Sequence, residues 1–169
     1  MAQTVQKSLS AGELAERRLA LMVTTYSLFI KNLKEEGVPL EQVKAASDRT
    51  WQKIGEQAGE MLKPLFEGAP ISEMTQVTGN LAVEVHGMTA NREMRAGAHR
   101  TNFEKCPWHD TAEALALPVE WRLCRSGHES FVRSMFQALD PRITTIMDDV
   151  AAQGALCSET IGYGAEASP

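Results

Sequence analysis

Apolar residues recur at helical spacing from Leu14 to Leu65 with one break, at Gly37-Val38-Pro39, and this commits the first part of the chain to two long helices. Ser10 and Glu13 form an S-x-x-E capping box, in which each side chain satisfies a backbone N–H left free at a helix start. The first helix is therefore expected to run to about Glu36, with Leu14, Leu19, Val23, Leu28 and Leu33 along one stripe and Gly37 ending it. Pro39 suits the first position of a second helix, which carries Leu40, Val43, Trp51, Ile54, Met61 and Leu65 and stops at Gly68 and Pro70. The two are expected to pack as an antiparallel pair.

Beyond Pro70 the periodicity changes. Ile71, Met74, Leu81, Val85 and Met88 keep helical spacing, yet Leu81, Val83 and Val85 also alternate, and Gly79-Asn80 between them favours a short helix, a turn and a strand. Arg92 to Lys105 reads as a hairpin-like extended segment leading to Cys106. Pro107 then opens a helix with Cys106 as its N-cap, closed by Pro118. Around Cys124 two readings stand: a helix starting at Ser126 with Glu129 as its capping-box partner, or one helix from Val119 to Leu139. Arg142 to Tyr163 is expected to form an antiparallel hairpin with Cys157, Glu159 and Ile161 on one face. The expected class is α+β: an N-terminal helical pair packed with a small antiparallel sheet and further helices in the C-terminal half. Residues 1–9 read as a flexible terminus, 10–163 as one domain and 164–169 as a flexible tail, since domains commonly have roughly 100–150 residues.

Charge narrows the partners. A net charge of −5 and the absence of a dense Lys/Arg run argue against nucleic acid and against an anionic membrane surface. The run Leu19–Ile30 follows Arg17-Arg18 as a signal peptide would, but it has no small-residue cleavage site and is shorter than the roughly 20 apolar residues of a membrane span. A cytoplasmic setting with reduced thiols is expected, and a small molecule is the expected partner. The N-terminal helices also carry enough apolar surface to join two copies as a homodimer.

The chemistry-bearing groups gather between Phe103 and Glu129, as Cys106-x-x-His109 and Cys124-x-x-x-His128, with Cys157 returning late. One reading is catalytic. A thiol at a helix N-terminus feels the positive end of the dipole and moves toward the thiolate, which makes Cys106 the preferred nucleophile; Cys124 and Cys157 join it, and His109, His128 or Asp110 moves protons. No cofactor is needed for that. The alternative is a metal set of Cys106, His109, Cys124 and His128 holding zinc or iron in a non-catalytic sensor module, although the paired Cys-x-x-Cys knuckles usual for structural zinc are missing. Trp51, Trp108 and Trp121 read as core or pocket wall, and His86 and His99 as surface or polar-network residues. Arg92, Arg95 and Arg100 suit either a solvated strand face or a carboxylate pocket, because guanidinium binds carboxylate bidentately.

Cys106-Pro107 after an extended segment, Leu123-Cys124 opening a helical stretch, and Gly154-Ala155-Leu156-Cys157 in a last strand together resemble the L-2-amino-thiazoline-4-carboxylic acid hydrolase family over the C-terminal half. The resemblance implies an α+β domain in which three cysteines converge, and a cysteine-dependent hydrolase that opens a small C–N/C–S ring. It departs from the family pattern at Gly127-His128, where an acidic residue is expected, and at Ser158-Glu159-Thr160, where aromatics are expected.

Overall fold

The computed structural model describes residues 10–84, 86–95, 97–148 and 157–164. They form an α+β fold: α1 (Ala11–Glu35), α2 (Leu40–Leu62), α3 (Ile71–Glu84), β1 (Thr89–Arg95), β2 (Ala98–Lys105), α4 (Pro107–Ala114), α5 (Ser130–Leu139), β3 (Ile143–Asp148) and β4 (Cys157–Tyr163). The strands make one antiparallel sheet ordered β1-β2-β4-β3. The expected loose ends at 1–9 and 165–169, and the turn expected within 149–156, lie outside the described residues.

The local chemistry explains the element boundaries. The capping box forms: Glu13 N donates to Ser10 Oγ at 3.2 Å and Ser10 N to Glu13 Oε2 at 2.8 Å. Gly37 ends α1 at φ +75°, a conformation that a side chain would disfavour. Helix α2 lies chiefly against α5, and two glycines permit the close approach. A Cβ on Gly59 would fall 2.6 Å from the Ala138 Cβ, and one on Gly55 would overlap the Phe131 carbonyl and come within 3.1 Å of Met135 N.

Two apolar clusters hold the layers together. Phe66, Ile71, Met74, Val132, Met135, Phe136, Ile143 and Ile161 bind α3 and α5 to the sheet. Ile30, Val43, Ala112, Leu117 and Leu123 tie α1, α2 and α4 together. Among the described residues no helix is long and apolar enough to cross a membrane.

Two expectations change. Helix α3 runs straight through Gly79-Asn80, so a helix replaces the expected turn and the strand that was to follow. Gly79 is instead the place where Arg92 lies against the helix, since a Cβ there would stand 2.6 Å from the guanidinium carbon. Before α5 the backbone takes a 3-10 turn at Val119–Trp121 and a π-helical turn at Arg125–Glu129 that runs on into α5. The helical stretch therefore starts within a residue of the expected Ser126 with Cys124 just before it, though without the Ser126/Glu129 box, and the single helix from Val119 is excluded. Leu123 between them adopts φ +53°, a strained conformation for a branched side chain, and is held there by burial in the second cluster.

Candidate ligand-binding site

Strand pairing sets the floor of the site. His99, Thr101 and Phe103 of β2 stand opposite Ile161, Glu159 and Cys157 of β4, so alternation places all six on the face toward the helices. Above this face the helices leave a cavity of about 310 Å³, lined by Met22 and Tyr26 from α1, Trp51 and Ile54 from α2, Phe103, Trp108, Phe131, Met147 and Cys106, Cys124 and Cys157. His86, Met88, Arg122, Leu123, Gly127 and His128 complete the wall. All three cysteines therefore face one cavity, as the sequence resemblance implied.

The wall is largely aromatic. Tyr26, Trp51 and Trp108 meet edge to face with ring centroids 5.6–6.3 Å apart, and Trp51 meets Phe131 in the same way. The polar atoms of Tyr26 and Trp51 turn to protein partners. Trp51 Nε1 donates to Tyr26 Oη at 3.4 Å, the Tyr26 hydroxyl lies 3.1 Å from Ser47 Oγ, and Ser47 donates to the Ser126 carbonyl at 2.7 Å. What faces the cavity is mostly ring carbon, methyl and sulfur, which suits an aliphatic guest.

A second, smaller chamber of about 170 Å³ adjoins the first and shares His86, Phe103, His128 and Phe131 with it. It is lined by α3, α5 and the sheet, and it contains the polar groups Arg92, His86, His99, His128 and Glu159. His128 Nε2 and Glu159 Oε2 are 3.0 Å apart, and the His128 ring meets Phe103 edge-on. Burial pushes the His99 pKa below the ordinary histidine range, with Arg92 acting in the same direction and Glu159 opposing; burial, then His128, does the same to His86. Sequence reasoning offered Arg92 for a carboxylate pocket and His128 as a site residue but did not bring His86, His99 and Glu159 together with them. The period-two placement of His99 with Thr101 and Phe103 was a readable signal, but pairing His99 with α3 and Glu159 required the strand order.

The predicted site residues divide. Cys106, Cys124, Cys157 and His128 line the large cavity, whereas His109 and Asp110 do not. His109 Nε2 lies 2.8 Å from Arg122 Nη1, and exposed Asp110 lies 3.8 Å from the His109 ring. Cys106 is the N-cap of α4 and Pro107 opens the helix, as expected. The expected thiolate does not follow. Burial raises the Cys106 thiol above its usual range, and the nearby backbone N–H groups of His109 and Trp108 only partly offset it. The metal set also fails to assemble: among the described residues no three His, Cys, Asp or Glu side chains are arranged to hold an ion, because His109 is turned to Arg122 and His128 to Glu159.

Fold and cavity together define an α+β architecture, a sheet roofed by helices over a largely apolar cavity. No family model and no curated protein matches the sequence. The fold is similar to the crystal structure of a trafficking protein particle complex subunit 3 from Naegleria fowleri covalently bound to palmitic acid, with a TM-score of 0.58 and 10% identity over 91% of this chain and 99% of that one. This overturns the expected cysteine-dependent hydrolase. The architecture is shared with a trafficking-complex subunit covalently bound to palmitic acid, and burial holds the Cys106 thiol above its usual range, the opposite direction to the one the hydrolytic route called for.

Proposed function

We propose that this protein is a non-catalytic binding module that encloses the aliphatic chain of an amphipathic small molecule. The cavity lined by Tyr26, Trp51, Trp108, Phe131, Met147 and the three thiols carries the reading. Burying an alkyl chain there contributes about 0.8 kcal/mol per methylene, and the wall contains few groups that would lose hydrogen bonds to water. The palmitic acid held by the structural neighbour supports the same class of guest.

The test is a titration with dodecanoic acid followed by Trp51 and Trp108 fluorescence. Saturable binding is expected, with at least roughly tenfold weaker binding in Gly127→Leu, whose new side chain occupies the cavity, and in Ile54→Trp at its rim. Unchanged affinity in both variants contradicts the reading.

A protein partner belongs to the same proposal. Leu14, Leu21, Met22, Leu28 and Phe29 are exposed on α1, and Arg18, Leu21, Met22, Thr25, Tyr26 and Phe29 line a shallow groove. A second copy placed antiparallel about Thr25 sets Leu21 against Phe29, Met22 against Leu28 and Glu16 against Lys34, a self-complementary arrangement. Met22 and Tyr26 belong to both groove and cavity wall, so such a homodimer would cover one side of the ligand site. A cytoplasmic setting, where the thiols stay reduced, completes this reading.

A further inference from the structure

We infer that the inner chamber receives the carboxylate of the ligand whose chain fills the outer cavity, which makes the ligand class a free fatty acid. The inference rests on the chain-binding reading above. The two chambers share His86, Phe103, His128 and Phe131 as lining, and the carboxyl end of the ligand would pass between these side chains from the apolar space into the polar one.

Three observations point to a carboxylate there. His99 is 8% exposed, and its Nδ1, like that of His86, is buried with no hydrogen-bond partner among the described residues. A buried ring nitrogen without a partner is costly, and a ligand oxygen would relieve it. Arg92 is seated by design of the helix beside it, since its guanidinium occupies the space where any residue but glycine at position 79 would place a Cβ. Its Nη1 donates to Asn80 Oδ1 at 3.2 Å, and among the described residues no carboxylate lies within ion-pairing distance of it.

The remaining charges allow an anion. Glu159 is the acid in the chamber, and its carboxylate is already engaged by His128 at 3.0 Å. Burial and Arg92 favour the neutral form of His99, which can donate one N–H to a ligand oxygen without adding a cation. Arg92 supplies the positive charge, and its fork geometry matches a carboxylate.

Calorimetric titration of the full chain with dodecanoic acid, methyl dodecanoate and dodecan-1-ol tests this. The wild type is expected to bind the acid roughly tenfold or more tightly than the ester or alcohol, the range of a charge-assisted hydrogen bond. In Arg92→Gln and His99→Leu that preference should fall to about twofold or less while ester binding is retained, and Arg92→Lys should keep part of it. Equal binding of acid and ester, or a preference that survives both substitutions, overturns the headgroup site and leaves chain binding intact. Binding of none of the three probes removes both readings. A hydroxylamine-labile acyl adduct on a cysteine, seen by intact mass, would place the carboxyl carbon at a thiol and also overturn the inference.

Discussion

Gly79 shows how one residue can be misread in sequence and informative in structure. Beside Asn80 it looks like a turn signal, yet it lies inside α3 because the Arg92 side chain needs the space. Gly79→Ala is therefore expected to leave stability unchanged or raise it by about 0.5–1 kcal/mol, because alanine favours the helix and Arg92 can swing aside. The same variant should lose most of the preference for acid over ester, which the three-probe titration would show. Cys106 is the opposite case, with its position legible and its chemistry not. Pro107 announced the helix start, but the burial that raises the thiol exists only in the folded tertiary structure. Native Cys106 should react with iodoacetamide at pH 8 more slowly than in urea; faster reaction would restore the thiolate. His86 and His99 give a pH signature. Above about 6.5 they are neutral in both folded and unfolded chains, so they contribute nothing. Below it the unfolded chain takes up protons that the native state resists, so stability should fall as the pH drops from about 6.5 toward the lowered native values. Denaturation midpoints measured between neutral and mildly acidic pH should show this decline, flattened in His99→Asn.

At the scale of elements, boundaries governed by local chemistry were readable. The Ser10/Glu13 box, the Gly37 stop, the Cys106-Pro107 start and the β3–β4 pairing all follow from neighbouring residues. The stretch from Val119 to Glu129 was not readable in the same way. Its 3-10 and π-helical turns and the left-handed Leu123 are set by docking Leu123 into the Ile30, Val43, Ala112 and Leu117 cluster, a long-range requirement that no periodicity records. The α2–α5 seam was equally hidden, because Gly55 and Gly59 at helical spacing say nothing about which helix approaches them. Gly59→Leu should destabilise the protein by about 1–3 kcal/mol through overpacking against Met135 and Ala138, and Phe136→Ala, at a fully buried position, by about 3–5 kcal/mol. Urea unfolding measures both.

For the whole molecule, the Cys/His clustering pointed to a cavity but to the wrong chemistry. Three cysteines do surround one cavity, but they do so among Tyr26, Trp51, Trp108, Phe103 and Phe131, in a wall built to exclude water. Those aromatics are spread over α1, α2, α4, α5 and β2, so the cavity exists only once tertiary structure is formed. The inner chamber adds a polar end to that apolar space. The exposed α1 face is the remaining large-scale feature, and Leu21→Asp with Phe29→Asp should convert a dimer to a monomer in light scattering while leaving helix content unchanged. The central claim, an enclosed cavity that holds an alkyl chain, is tested most directly by calorimetric affinities for octanoic, decanoic, dodecanoic, tetradecanoic and hexadecanoic acids. Each methylene should tighten binding about fourfold until the cavity is full, after which affinity levels off. Affinity independent of chain length across the series would contradict the account.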